Sequence, residues 1–470
     1  MIVKNFEEIK NNFYPVVIIG SGPAGISLAL TLEKKKVKCL VIEAGKEKYD
    51  NDSQQFYKSI IVGDSITDLK HSRLRQFGGT SGHWGGWSKP MDKFNIESWG
   101  LNFNEFSEYR DETCNILNIK NNFEKSKLNN YFNQIQFQYS KVRFAKKFRN
   151  KIENSEYIDL LINAQATHFN GNNEVINSVS IKNNEKKYLI KSKIFILSCG
   201  AVENSRVLLW TRELNNNLIN RKLPIGNYWM THPWIIGGVG VIKKNRIHKI
   251  LKDKFLNYEG PLHIATSKNI ILEKKILSGA LYMNAKEDTK IYKEVIKNLL
   301  CTSPEYGKKI ARKIFSKDLK CGNIFMNLEE DASKENRIVL HEKIKDKSGI
   351  PISKIFYKKL DTTLFTAKTI MKELGKFLIE KDIGRIAIKK EIENLEGYEN
   401  LGVHHHMGGT RIGDNLNTSV VDSNLKVHNT KNLFVAGSSV FRSSGYSNPT
   451  FTIVQLSIRL GEKINKKLNS

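Results

Sequence analysis

Hydrophobic and polar positions near the start of the chain predict a strand, a turn, a helix and a second strand. Residues 16–19 and 39–42 are continuous apolar runs, each of a length that suits a buried strand. Residues 24–34 have helical character, and they follow a turn rich in glycine at residues 20–25. This order of elements is typical of a parallel α/β sheet.

Further strands are predicted in the middle of the chain. Residues 157–198 alternate in short strand-like runs, and turns are predicted at 170–173 and 183–185, where asparagine is frequent. Residues 235–395 mix strand-like and helical patterns. Residues 50–75 are polar, and we expect them to form a loop.

Helical patterns are found in three other places. Residues 96–119 have helical spacing, and residues 201–210 follow a strand as a helix would. A last helix is predicted over residues 449–467, because Asn448 followed by Pro449 is a favourable helix start. The partial positive charge at its N-terminus would favour a nearby anion.

The glycine-rich turn has the spacing of a dinucleotide-binding fingerprint. Gly20 permits the tight turn, Gly22 lets the backbone approach a pyrophosphate, and Gly25 lets the helix pack closely on the strand. Glu43 ends the second strand, where a carboxylate can accept hydrogen bonds from ribose hydroxyls. The sequence has no second fingerprint of this kind, so we expect one bound dinucleotide, which this motif alone does not identify as FAD or NAD.

Composition excludes several classes of protein. The chain has 470 residues, 40% hydrophobic and 26% charged, and no run of eighteen apolar residues, so no integral membrane segment is expected. The net charge of +27 comes from lysines spread along the chain, which indicates a charged surface and no nucleic-acid partner. Five cysteines without CxxC spacing do not suggest a disulfide scaffold. The polar N-terminus predicts a cytoplasmic location.

Four motifs, in family order, give the chain a resemblance to the glucose–methanol–choline (GMC) oxidoreductases, and especially to their pyranose-oxidase-like and bacterial sugar-dehydrogenase-like branch. They cover residues 20–43, 73–86, 194–209 and 405–460. The resemblance implies FAD as the cofactor and an alcohol group as the site of oxidation. It covers nearly the whole chain, which makes it more specific than any one motif.

The C-terminal motif departs from the family pattern at a few positions. The pattern H-x-x-G-T-x-x-M-G falls on His405, with Gly409 in place of Thr and Ile412 in place of Met. The pattern N-P-T-x-T begins at Asn448 without change. Gly437 stands where many members have Asp, so backbone N–H groups would replace a carboxylate contact to the cofactor.

The resemblance implies a set of site residues. His405 would be the catalytic base, and Asn448 would hydrogen-bond the same substrate oxygen and hold the carbon over flavin N5, which receives the hydride. A neutral imidazole suits the base because its ordinary pKa lies near neutrality. The expected cofactor-binding residues are Gly20, Gly22, Gly25, Glu43, Arg75, Gly79, Thr80, Ser81, His83, Trp84, Ala166, Gly437, Ser438, Asn448, Pro449 and Thr450.

Three other sets of residues need separate interpretation. His83 lies where pyranose-oxidase-like members attach FAD covalently, and it either does so here or only hydrogen-bonds within the flavin loop. The run from His404 to His406 is not expected to hold a metal, because neighbouring side chains of an extended chain alternate in direction. His232 and Glu203 are expected to be structural.

The predicted fold class is α/β, with a Rossmann-like FAD-binding domain built from discontinuous segments. A second α+β domain, with a mostly antiparallel sheet, would bind the substrate. The FAD-binding parts are residues 1–95, 151–235 and 396–470, the last of them with the catalytic His and Asn. Residues 96–150 would form a substrate or cap segment, and residues 236–395 the substrate-binding domain.

The resulting expectation is FAD-dependent oxidation of a CH–OH group on a small, polar, sugar-like or cyclitol-like substrate. The electron acceptor is external, and oxygen, a quinone or a protein all stay open, so the chain is an oxidase or a dehydrogenase. One alternative is a redox-inactive or partner-dependent FAD-binding protein. Another is an FAD monooxygenase or NAD(P)H-driven reductase, which the absence of a second nucleotide fingerprint disfavours.

Overall fold

The structure, a computed structural model, describes residues 1–9, 11, 13–243, 263–284, 319–402 and 404–470. Its strands are β1 Ile2–Val3, β2 Tyr14–Ile19, β3 Cys39–Ile42, β4 Ser59–Gly63, β5 Trp87–Ser88, β6 Lys125–Lys127, β7 Phe132–Ile135, β8 Gln138–Tyr139, β9 Ile158–Leu161, β10 Ala164–Asn172, β11 Val175–Asn183, β12 Lys186–Leu197, β13 Trp234–Lys243, β14 His263–Thr266, β15 Gly279–Asn284, β16 Leu319–Leu328, β17 Arg337–Lys345, β18 Pro351–Tyr357, β19 Gly384–Ile388 and β20 Leu433–Val435.

The α-helices of the described ranges are α1 Pro23–Lys34, α2 Asn51–Gln54, α3 Leu69–Ser72, α4 Lys93–Ser98, α5 Phe103–Ser107, α6 Arg110–Leu117, α7 Phe144–Glu153, α8 Ala201–Leu214, α9 Lys268–Lys274, α10 Asp361–Glu380, α11 Lys390–Glu393 and α12 Pro449–Asn469. The predicted strands at 16–19 and 39–42 and the helices at 24–34, 201–210 and 449–467 are confirmed within a few residues.

The first sheet has the order β1-β9-β3-β2-β12-β11-β10, and β20 also pairs with β12. Its centre is parallel, because β9, β3, β2, β12 and β20 all run in the same direction. Val16, Val17 and Ile18 have no exposed surface, which explains why β2 is continuously apolar and not alternating. Helix α1 packs against α12 beside this sheet.

The second large sheet is antiparallel throughout, with the order β19-β13-β16-β15-β14-β7-β6. One face is covered by α10, since Ile324 and Met326 of β16 share a hydrophobic core with Met371 and Phe377. The prediction of a Rossmann-like part combined with a mostly antiparallel sheet is therefore confirmed. Residues 244–262 and 285–318 of the predicted substrate-binding domain lie outside the described residues.

The hairpin turns in the first sheet were predictable from local sequence. Strands β10 and β11 are joined by Asn173 and Glu174, and β11 and β12 by Asn184 and Glu185. All four residues have positive φ, from 45° to 68°, as two-residue hairpin turns require. The turn predicted at 183–185 is confirmed, whereas the one predicted at 170–173 lies further along, at Asn173 and Glu174, because β10 continues to Asn172.

The prediction that residues 50–75 form a loop is wrong. This stretch contains α2, α3 and the strand β4, which pairs in parallel with β18. The partner residues, Ser353 to Tyr357, are almost three hundred positions further along the chain, so no local pattern could indicate this pairing. The helical prediction for 96–119 is confirmed, although the stretch is divided into α4, α5 and α6.

The first sheet draws its strands from distant parts of the chain, from Ile2–Val3 to Leu433–Val435. The boundaries given above for the separate domains stay predictions, as does the cytoplasmic location. Across the ranges that the structure describes, no helix combines the length and the apolar character that crossing a membrane would need.

Candidate active site

A single cavity of about 530 Å³ lies where the first sheet meets the C-terminal segment. With one exception, all the predicted catalytic and cofactor-binding residues line it. The exception is Gly25, which packs beneath the cavity: a Cβ there would lie 1.9 Å from the Gly20 carbonyl oxygen. Gly25 therefore holds the helix against the strand and does not contact a ligand.

The turn after β2 leaves room for a ligand at its tip. A Cβ added at Gly22 would meet no protein atom within 4 Å, although Gly22 lines the cavity. Helix α1 begins at the next residue, Pro23, so its free N–H groups lie at the same place. An open cradle beside a helix N-terminus fits the pyrophosphate of a dinucleotide.

Glu43 lies at the end of β3 and is buried. Its carboxylate accepts hydrogen bonds from the Ser21 backbone N–H at 3.0 Å, the Ser21 hydroxyl at 2.7 Å and the Gly45 N–H at 2.7 Å. These contacts fix the carboxylate in the cavity wall. The remaining lone pairs can accept hydrogen bonds from a ribose.

The glycine-rich segment after α3 folds into a short 3-10 helix, Gly79–Gly82, which lines the cavity. The Ser81 hydroxyl donates to the Gly78 carbonyl at 2.7 Å and accepts from the Phe144 N–H at 3.1 Å. The Trp84 indole N–H donates to the Val142 carbonyl at 2.7 Å. These bonds direct the segment, and with it His83, along the cavity.

Two arginines in the cavity wall have no acidic partner among the described residues. Arg75 donates to the Ala44 carbonyl at 3.0 Å and to the Ser53 hydroxyl at 2.9 Å, and it covers the ring of Phe56. Arg73 bonds the His404 carbonyl, while its Nε is buried without a partner. Burial lowers the pKa of both guanidinium groups. Cations that form no salt bridge of their own fit a cavity that receives an anionic cofactor.

The three consecutive histidines differ in their contacts. His405 Nδ1 lies 3.1 Å from His232 Nδ1, and the two rings meet edge to face. His406 Nε2 lies 3.1 Å from the Ser72 hydroxyl, and its ring stacks on Trp229. All three line the cavity. No group of three or more metal-binding side chains is found in the described part of the chain.

His232, which the sequence predicted to be structural, contacts His405 in the site. It is buried, and its Nε2 lies 2.9 Å from the carbonyl oxygen of Ser444. Burial lowers the pKa of His232 to about 4. Because 173 positions separate it from His405, no spacing in the sequence could have indicated the contact.

Asn448 occupies the N-cap position of α12, but its side chain makes no capping bond. The amide is therefore available to the cavity that it lines together with His405. Pro449 and Thr450, the first residues of α12, line the same wall. Ser438 fixes the opposite wall, since its hydroxyl donates to the His406 carbonyl at 2.7 Å.

Some residues of the cavity wall were not predicted. They include Tyr57, His71, Gln165, Glu203, Arg206 and Ile350. Glu203 pairs with Arg206 at 3.3 Å, and Arg206 also bonds Asp346, so the structural role expected for Glu203 agrees with its contacts. These residues come from separate elements, among them α3 for His71, β10 for Gln165 and α8 for Glu203 and Arg206, which only tertiary packing brings together.

Comparison with known proteins identifies two family models. Residues 14–60 match the model described as FAD binding domain, and residues 332–457 match the model described as GMC oxidoreductase. The first match covers the nucleotide loop and Glu43, and the second covers His405 and Asn448.

Curated relatives share part of the sequence. The large subunit of fructose dehydrogenase from Gluconobacter japonicus is 24% identical over 305 residues, which are 62% of this chain and 50% of that protein. The C-glycoside 3-oxidase of Arthrobacter globiformis is 29% identical over 145 residues, which are 30% of this chain and 26% of that protein. The chain thus spans half or less of these two relatives.

Solved structures share the fold over nearly the whole chain. Pyridoxine 4-oxidase from Mesorbium loti superposes with a TM-score of 0.60 at 11% identity, covering 96% of this chain and 99% of that one. A formate oxidase superposes with a TM-score of 0.57 at 15% identity, covering 98% and 99%. At such low identity, the likeness establishes the fold.

Proposed function

Because the chain belongs to the GMC oxidoreductase family and binds FAD, we propose that it oxidises a CH–OH group of a small, polar, sugar-like or cyclitol-like substrate. The observation that carries this proposal is the contact between His405 and His232 in the cavity that also contains Asn448 and the nucleotide loop. This contact orients His405 as a base next to Asn448, where the substrate hydroxyl would lie.

The hydrogen bonds around His232 decide which atom of His405 is basic. The Ser444 carbonyl can only accept, so His232 Nε2 carries a proton, and Nδ1 of the neutral ring is then an acceptor. His405 must therefore donate from Nδ1, which leaves its Nε2 with a free lone pair. Burial, with the neighbouring His232, Arg73 and His404, holds the pKa of His405 well below its ordinary value. His405 Nε2 is thus a neutral base.

The proton of the substrate hydroxyl passes to His405 Nε2, while the Asn448 amide binds the same oxygen and orients the carbon that carries the hydrogen. FAD, when bound, supplies the hydride acceptor. Holding the reacting groups in one geometry removes much of the entropic barrier. The N-terminus of α12, beside Asn448, favours negative charge in its vicinity.

The residues also suggest which substrates fit. Aromatic rings cross four strands of the antiparallel sheet and end at Trp87 of β5, outside that sheet. We call them the aromatic row: Trp234, Phe325, Tyr282, His263 and Trp87. Trp87 lines the cavity, so the row continues its wall. Rings of this kind suit the apolar faces of a cyclic polyol. Fructose and a C-glycoside, named in two relatives, are cyclic polyols as well.

The test is to mix the purified flavoprotein with each candidate substrate in the absence of oxygen and to measure flavin reduction as a loss of flavin absorbance. The panel is D-fructose, D-glucose, D-sorbitol, myo-inositol and 1,2-propanediol. Bleaching by one or more sugars or cyclitols supports the proposal. A protein that binds FAD but is bleached by no alcohol would instead be a redox-inactive or partner-dependent FAD-binding protein. Reoxidation by air or by a quinone then identifies the class of acceptor.

Whether FAD is attached through His83 is a separate question with a direct test. The His83 side chain lines the cavity in the segment that follows the 3-10 helix. Acid precipitation leaves colour in the pellet if the flavin is covalent and in the supernatant if it is not. The variant His83→Ala should release the colour only in the first case.

A further inference from the structure

A charged pair of one buried and one partly buried side chain lies next to the loop that carries Asn448, outside the cavity itself. Lys89 is only 6% exposed, and its Nζ contacts Asp92 Oδ1 at 2.8 Å. The Tyr446 hydroxyl donates to the other oxygen of the same carboxylate at 2.8 Å. Lys89 Nζ also lies 4.9 Å from the centre of the Tyr446 ring. Lys89, Asp92 and Tyr446 therefore form one connected group.

Stability alone does not account for this group. A buried ion pair is costly to desolvate, and apolar side chains of similar volume are often at least as stabilising. What the pair does provide is a fixed geometry, because Asp92 accepts from Lys89 with one oxygen and from Tyr446 with the other. Burial alone would raise the pKa of Asp92, but Lys89, Lys125 and Tyr446 lower it to about 2, so the carboxylate stays charged.

Tyr446 belongs to residues 443–448, which we call the Asn448 loop. Three further hydrogen bonds hold this loop to separate parts of the chain. The Ser443 hydroxyl accepts from the Trp99 indole at 2.9 Å, and the Ser447 hydroxyl donates to the Pro90 carbonyl at 3.2 Å. Asn327 of the antiparallel sheet donates to the Tyr446 carbonyl at 2.7 Å.

The same loop also carries the acceptor that orients the base. The Ser444 carbonyl accepts a hydrogen bond from His232 Nε2, and His232 contacts His405. Two residues beyond Tyr446, the Asn448 side chain reaches the cavity without a capping bond of its own. The position of the Asn448 amide relative to His405 is thus set by the backbone of this loop.

We propose that Lys89, Asp92 and Tyr446 are positioning residues that fix the Asn448 loop, so that the Asn448 amide and His405 meet the same substrate oxygen. This inference rests on the proposed function of Asn448. Tyr446 does not line the cavity, so it acts through Asn448 and not on the substrate.

The test is a double-mutant cycle with Tyr446→Phe and Asn448→Ala. Tyr446→Phe removes one hydroxyl and keeps the ring, so FAD content and melting temperature should stay near those of the unmodified protein. With D-fructose, or the fastest panel sugar, kcat should fall about tenfold or more while KM changes less, because a small misplacement slows the reaction step. In the Asn448→Ala background, Tyr446→Phe should have an effect smaller than about twofold.

The matched control is Tyr14→Phe. Tyr14 is also buried and also donates to an aspartate, Asp159, at 2.6 Å, but it lies at the start of β2. It should leave kcat unchanged. A normal kcat in Tyr446→Phe, or the same loss of kcat with and without Asn448, would overturn the positioning role. A normal kcat in Asn448→Ala would instead overturn the proposed function of Asn448.

Discussion

The chemistry of His405 depends on one neighbouring side chain. An isolated imidazole can carry its proton on either nitrogen, and only the contact with His232 assigns it to Nδ1. His232 in turn is fixed by a backbone carbonyl and not by another titratable group. The base is therefore defined by two contacts that hold one tautomer.

Replacing His405 with alanine should remove the base but keep the cofactor. We expect the rate of flavin reduction to fall by about 10² to 10⁴, the usual contribution of a general base. Stopped-flow reduction with the fastest panel sugar measures it, with the visible spectrum as the check on FAD content. His168→Ala on β10, outside the cavity, is the control. Unchanged turnover in His405→Ala would remove His405 from the mechanism.

Glu330 should make stability depend on pH. Its carboxyl is buried and bonded to Thr231 and Tyr357, and burial raises its pKa from 4.5 to about 7. Because the pKa of Glu330 is higher in the folded protein than in the unfolded chain, its contribution to stability is fully present below the unfolded-chain pKa. The contribution is lost as the pH rises through the folded-state pKa. Between those two values the loss is on the order of 3 kcal/mol.

The variant Glu330→Gln should lack this loss, since an amide does not titrate and can bond the same partners, its oxygen accepting from Thr231 and its NH2 group donating to the Tyr357 oxygen. Denaturant unfolding at several pH values between about 4.5 and 7 compares the slopes of the two proteins. Glu335→Gln, at an exposed position, should keep the slope of the unmodified protein. Equal slopes for Glu330→Gln and the unmodified protein would show that Glu330 is ionised throughout.

At the scale of elements, the nucleotide loop separates ligand contact from packing. A side chain at Gly22 would enter the open cavity, whereas one at Gly25 would collide with the Gly20 carbonyl. We therefore expect Gly22→Val to fold but not to bind FAD, and Gly25→Ala to lower the melting temperature. Flavin absorbance per protein and a circular dichroism melt distinguish the two effects. A Gly22→Val protein that still contains flavin would mean that the cofactor does not bind against Gly22.

Elements with local signals were predictable, and those defined by distant partners were not. The continuous apolar run of β2 and the asparagine-rich hairpin turns of β10 to β12 are determined by residues that are neighbours in the sequence. Strand β4 was missed because its pairing partner, β18, is far away in sequence. The same limit applies to the site: motifs indicated His405 and Asn448, but the contacts of His232 with His405 and of Tyr446 with Asp92 arise only from tertiary packing.

At the scale of the whole molecule, the antiparallel sheet is joined to the Asn448 loop, which borders the cavity. Asn327 of β16 bonds this loop, and Phe325, two residues earlier in the same strand, lies on the same face of the sheet. The intervening Met326 points to the other face, into the core with α10. The aromatic row therefore lies on the side of the sheet that faces the reacting groups.

This placement predicts that the aromatic row selects cyclic substrates. In Phe325→Leu, an apolar side chain stays but the ring that stacks on both Trp234 and Tyr282 is lost. We expect KM for the best cyclic sugar to rise about tenfold, equivalent to roughly 1.4 kcal/mol, at the upper end of one aromatic contact. Oxidation of 1,2-propanediol, which is too small to span the row, should change little. Steady-state kinetics with both substrates measure the difference.

Phe365→Leu, exposed on α10 at the opposite face, controls for a general effect of losing a phenylalanine. An equal rise of KM for both substrates would mean that Phe325 supports the fold of the cavity and does not contribute to substrate specificity.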